Sequence, residues 1–113
     1  MIDPLFGTVE YALGGMQMRT EAVARDIANV NTPNYKATKV LFEKNLASAL
    51  ASGKDAPSNK PQIVNAGGLP NGQGNSVQLE TELTEIAKTA LGRQTLVNAF
   101  NYKIALIKTA VGK

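Results

Sequence analysis

Apolar residues recur at a 4-3 spacing along both ends of this 113-residue chain, and the stretch between loses that rhythm. From about Asp3 to Asn31, one stripe carries Phe6, Val9, Leu13, Met16, Val23, Ile27 and Val30, with Thr20 as its polar member. A 3.5-residue period is that of a helix burying a narrow seam against another helix. Asp3 followed by Pro4 suits a helix start, because Asp accepts orphan N–H bonds and Pro fits the first turn. A helix over residues 3–31 spans roughly 40 Å. The second stripe carries Leu79, Leu83, Ile86, Ala90, Val97, Phe100, Ile104, Ile107 and Val111, interrupted by Arg93. Glu80, Glu82 and Glu85 stand near its start and Lys103, Lys108 and Lys113 near its end, which complements the helix dipole. A helix over 77–111 spans roughly 50 Å.

The middle divides at about residue 52. Val40 to Ala51 suits a short amphipathic helix with Leu41, Phe42, Leu46 and Leu50 on it. From Gly53 to Asn75, 12 of 23 residues are Gly, Pro or Asn. Such a segment buries too little apolar surface to offset its ordering entropy. It reads as a mobile loop over 53–76, with an extended piece at Gln62–Val64. The expected fold is all-α and a single domain: two long terminal helices packed as a coiled coil, a short middle helix, and the loop.

Such a pair makes a rod. Leu5, Ala12, Leu91, Leu96 and Leu106 lie off the two stripes, and paired helices leave flanking positions of this kind uncovered. Either neighbouring chains cover them or the middle helix closes the pair into a monomeric bundle. Gly14-Gly15 and Gly92 sit inside the helices, where each costs about 1 kcal/mol relative to Ala. They are tolerated weak spots, or they mark a bend or a close backbone approach to a neighbouring subunit.

Composition narrows the chemistry. The chain has no cysteine and no histidine, which removes thiolates, disulfides, the usual zinc ligands and the commonest general base. An enzyme would depend on carboxylates such as Glu80, Glu82 and Glu85, which helix-dipole preference already explains. No metal or cofactor is expected. A net charge of +3, spread along the chain, does not point to nucleic acid. No apolar run is long enough to span a bilayer, and the opening residues do not read as a cleavable signal peptide.

The first helix ends in Ala28-Asn29-Val30-Asn31-Thr32-Pro33-Asn34-Tyr35-Lys36. Pro33 pushes Thr32 out of the helical region, the Asn and Thr side chains can satisfy the last carbonyls, and Asn34 tolerates positive φ. A helix stop with a tight turn accounts for all of this. These residues also closely resemble the N-terminal signature of bacterial flagellar rod and hook proteins, Ala-Asn-x-x-Asn-Thr-Pro-Gly-Tyr-Lys. Here Asn34 replaces a Gly, and both accept positive φ. Val77-Gln78-Leu79-Glu80-Thr81-Glu82-Leu83 resembles the same family's C-terminal signature. The continuation Leu96-Val97-Asn98-Ala99-Phe100-Asn101, with no inserted domain, is most similar to its proximal-rod members.

The resemblance implies a structural subunit of the flagellar basal body. It would pack its terminal helices into a tubular layer that transmits torque and encloses the export channel. Implied partners are copies of itself, other rod proteins, membrane-ring or adaptor components, and the flagellar type III export apparatus. Export without a cleaved signal and location in the periplasm-spanning rod follow from the same likeness. Phe42 followed by Leu46 resembles the family's export-gate motif, although an i,i+4 apolar pair on a helix is common. A free subunit of this kind is expected to be largely disordered at both ends. A cytoplasmic helical adaptor or export chaperone is the rival reading. Membrane-surface binding through the basic end of the last helix is opposed by its acidic start.

Overall fold

A computed structural model describes residues 4–54 and 56–112. Asp3, expected to start the first helix, and Lys113, near the end of the last, lie outside the described residues. Helix α1 runs Pro4–Ala28, strand β1 Thr38–Leu41, helix α2 Glu43–Ala51, strand β2 Gln62–Asn65 and helix α3 Leu79–Val111. The molecule measures 65 × 25 × 15 Å with a radius of gyration of 17.5 Å. A compact domain of this length would have a radius near ~13 Å. The two long helices set this rod shape.

The protein is mostly helical but not all-α. β1 and β2 form an antiparallel pair in which Val40 opposes Ile63 and Lys39 opposes Val64. The helix expected over Val40–Ala51 therefore begins three residues later. Val40 and Leu41 gain ladder hydrogen bonds from the segment read as a loop, a competition that local periodicity does not register. Val40 turns into the core, while Lys39 and Leu41 are exposed. The extended piece expected at Gln62–Val64 is β2.

α1 and α3 run antiparallel. Phe6 meets Phe100 edge to face at 5.2 Å, Met16 lies 3.7 Å from where a Gly92 Cβ would stand, and Asp26 faces Glu82 near the other end. The face of α3 turned toward α1 runs through Glu82, Glu85, Thr89, Gly92 and Leu96, which are buried or half-buried. That row sits one residue before the apolar stripe, a rotation of about 100°. Ile86, Val97, Phe100 and Ile104 remain half-buried on its flank. Leu79 (45% exposed), Leu83 (52%) and Ile107 (38%) face outward.

The core sits at the middle of α1, where Ala12, Ala22, Val40 and Phe42 are buried and Met16, Leu46 and Leu96 pack against them. Gly15 exists for this contact. Phe42 lies where a side chain at Gly15 would be, with ring carbons 2.5 Å from an ideal Cβ. The close approach is thus within the chain. Gly14 beside it has nothing within 4 Å.

Candidate functional site

The motif at the end of α1 forms a polar knot with the segment before α3. Helix α1 runs out at Ala28, and Asn29 closes it: its backbone N–H donates to the Arg25 carbonyl at 3.1 Å, and its Nδ2 donates to the same oxygen at 2.8 Å. The Thr32 hydroxyl donates to Asn29 Oδ1 at 3.0 Å, and the Tyr35 N–H donates to the Thr32 carbonyl at 3.3 Å. Pro33 and Asn31 are exposed on this turn. Asn34 adopts φ 63°, the left-handed conformation its residue type tolerates. Its N–H donates to the Gln73 carbonyl at 2.9 Å, and Lys36 Nζ donates to the Gly74 carbonyl. Gly74, at φ 78°, lies so near Asn34 that a Cβ would stand 2.4 Å from Oδ1.

Asn75 ties the knot and is 1% exposed. Its Nδ2 donates to the carbonyls of Asn29 at 2.8 Å and Thr32 at 2.7 Å. Its Oδ1 accepts from the Val77 N–H at 2.8 Å. Ser76 follows the same plan: Oγ accepts from the Ala37 N–H at 2.8 Å, and its N–H donates to the Tyr35 carbonyl at 3.0 Å. Backbone groups left over by the end of α1 are thus satisfied by a segment more than 40 residues away. The stretch 71–76, expected to be part of a mobile loop, supplies them.

Beneath the knot lies Asp26, fully buried on the last turn of α1. It accepts from the Tyr35 hydroxyl at 2.9 Å, the Thr38 N–H at 3.0 Å and the Thr38 hydroxyl at 3.1 Å. Burial, and then the bond to Asp26, push the Tyr35 hydroxyl up to about 12. Glu82 approaches from α3, only 5% exposed, and its Oε1 has no hydrogen-bond partner. A second polar anchor lies along α1. Arg19 grips both oxygens of Glu43, at 2.6 Å and 2.8 Å, and its guanidinium lies 4.7 Å from the Phe42 ring centre. The Arg19 bond holds the Glu43 carboxyl below its usual range.

The motif residues Asn29 to Lys36 therefore gather at one end of the rod, with Tyr35 alone pointing to the buried carboxylate. Of the first stripe, Val9 and Val23 are buried, Leu13, Met16, Ile27 and Val30 half-buried, and Phe6 exposed against Phe100. Phe42 is 3% exposed with Leu46 packed beside it. Asp26, Asn75, Ser76 and Glu82 were not legible as partners; only the Asn71–Asn75 polar run hinted at a turn with side-chain acceptors. Among the described residues, no group of three or more acidic side chains could hold a metal ion. None of the described helices is long and apolar enough to cross a membrane.

The chain is similar to the flagellar basal body rod protein FlgB of Bacillus subtilis (strain 168), with 31% identity covering 91% of this chain and 89% of the relative. It belongs to the FlgB family. The FlgB of Aeromonas hydrophila is 31% identical over 98% of this chain and 96% of the relative. The FlgB of Escherichia coli (strain K12) is 28% identical over 92% of each. No family model matches the chain. As a FlgB family member it is a structural component of the flagellar basal body rod, and the cytoplasmic adaptor reading is not favoured.

Proposed function

We propose that this FlgB family chain builds the proximal rod by packing the outward apolar stripe of α3 against neighbouring rod subunits, as a coiled-coil layer around the export channel. One observation carries this: large apolar residues of the longest helix, on its stripe and beside it, are left uncovered by the chain's own core. Leu79, Leu83 and Leu91 (70% exposed) stand near the knot end, and Leu106, Ile107 and Val111 (78%) near the other. Every residue from Ala105 to Gly112 is exposed, so the last turns of α3 gain little packing from the described residues of the chain. Apolar surface so placed is characteristic of an interaction face.

The role is mechanical, with no chemistry. The knot of Asn29 to Lys36 sets the direction in which the middle segment leaves the helices. The terminal helices transmit torque through seams shared with copies of the chain and with sibling rod proteins. Membrane-ring or adaptor components meet the ends of that assembly. Export proceeds without a cleaved signal through the flagellar type III apparatus. Phe42, buried once folded with half-buried Leu46 beside it, is accessible to the export gate only while the chain is unfolded.

The test is Leu83→Glu combined with Leu91→Glu. Both positions are exposed, so the free chain should keep its melting temperature within a few degrees. In a strain lacking the native protein, the variant should be produced and secreted yet support no rod and no motility. Normal basal bodies containing the double variant would refute the assembly face.

A further inference from the structure

At the foot of the knot, carboxyl groups from opposite helices face each other beside an open groove, Asp26 from α1 and Glu82 from α3. Asp26 is fully buried and already accepts three hydrogen bonds, from Tyr35 and twice from Thr38. Glu82 is 5% exposed, and one of its oxygens is enclosed with no donor. Two ionised carboxylates in such a position repel strongly, and each loses hydration it cannot replace. A carboxyl oxygen starved of donors becomes satisfied if it carries a proton itself, with the neighbouring carboxylate as acceptor.

We infer that the Glu82 carboxyl carries a proton where it faces Asp26, and that this proton latches the start of α3 onto the end of α1 and releases it when lost. The surroundings offer little to neutralise a second negative charge. On α1, Arg19 is committed to both oxygens of Glu43, the first residue of α2. Arg25, the other cation of α1, is exposed. From the turn, Tyr35 presents a neutral hydroxyl and Lys36 is drawn to the Gly74 carbonyl. On α3, Glu85 adds negative charge. Lys39 of β1 and Lys88 of α3 line the open groove of about 630 Å³ beside Glu82, together with Glu43 and Glu85.

Burial, then the hydrogen bond and charge of Asp26, and last Glu85, push the Glu82 carboxyl up to about 7. In the released or unfolded chain it returns to the ordinary carboxylate range, near ~4.3. The closed state therefore binds more protons between those two values, and its stability falls as pH rises through that window. Below it the latch is fully held; above about 7 the loss is complete. Within that window a modest change in acidity alters how firmly α3 is docked to the motif turn. This concerns the fold of the single chain and stands whether or not the outward face of α3 is the rod interface.

The test is a carbon-13 carboxyl titration of the full chain, read at the Glu82 Cδ. The expected result is a midpoint near neutrality, with the Tyr35 ring and Thr38 amide signals shifting at the same pH. Asp26→Asn, which removes the opposing charge, should move that midpoint down by a pH unit or more. Glu82→Gln, which donates a hydrogen bond as the protonated acid does, should remove the pH dependence of amide exchange in the first turns of α3. In the native chain, protection there should fall about tenfold per pH unit through the window, after correction for intrinsic exchange. A Glu82 midpoint in the ordinary carboxylate range overturns the latch, as does a pH slope unchanged by Glu82→Gln.

Discussion

Gly14 and Gly15 are neighbours in one helix, yet the same substitution should act on them in opposite directions. At Gly14 a Cβ meets nothing within 4 Å, so Gly14→Ala should stabilise by about 1 kcal/mol through helix propensity alone. At Gly15 the new carbon would stand 2.5 Å from Phe42 Cδ1 and Cγ and 2.8 Å from Cδ2. The ring has nowhere to go. The Arg19 guanidinium stacks 4.7 Å from its centre, the Tyr11 ring lies 6.4 Å away, and moving Arg19 would disturb its grip on Glu43. Overpacking of this kind costs about 1–3 kcal/mol, and a caged ring belongs at the upper end. After the propensity gain, Gly15→Ala should destabilise by about 2 kcal/mol, placing the two variants about 3 kcal/mol apart. For a chain of this size that is a separation of roughly 12 °C in melting temperature. Thermal unfolding followed by circular dichroism on both full-length variants measures it. A Gly15→Ala variant melting at or above the native chain would refute the packing described for Phe42.

Asn75→Ala should destabilise by about 2 kcal/mol in urea titration, because it takes the partner from two part-buried carbonyls and one N–H at once. Asn75→Asp should be no better: it keeps the acceptor for Val77 but donates to neither Asn29 nor Thr32. The Glu43 carboxyl is held low by Arg19. Its contribution is therefore present above the ordinary carboxylate range and lost as pH falls through its folded value. Arg19→Lys keeps the charge but loses the fork, so the fall in urea midpoint as pH drops below the ordinary carboxylate range should be shallower than in the native chain.

Elements whose evidence is local were legible in the sequence. The long helices follow from periodicity, and α1 ends where Asn29 to Pro33 forbid continuation. Val40 was misplaced because its strand partner, Ile63, lies 23 residues on in a stretch whose composition argues against order. The rotation of α3 was hidden for a related reason. Counting apolar residues finds the greasiest face of a helix, whereas the face turned to α1 is the one where Glu82 meets Asp26, Gly92 makes room for Met16 and Leu96 packs on the Phe42 cluster. The motif signature marked the turn correctly but not its other half, since nothing in Asn71 to Ser76 announces that it will satisfy carbonyls at Asn29 and Thr32.

The polar and apolar halves of the molecule are completed in different ways. At the knot, the orphan groups at the end of α1 find partners within the chain, on Asn75 and Ser76. The relative placement of α1, the turn and the start of α3 is therefore fixed before any neighbour arrives. Past Ile104 the reverse holds: Leu106, Ile107 and Val111 are exposed, and among the described residues little apolar surface covers those turns. A subunit so built is stiff at one end and compliant at the other. Neighbours that covered these outer residues would order the last third of α3 without disturbing the knot, and their hydrophobic contribution would then appear as cohesion between subunits rather than as stability of one.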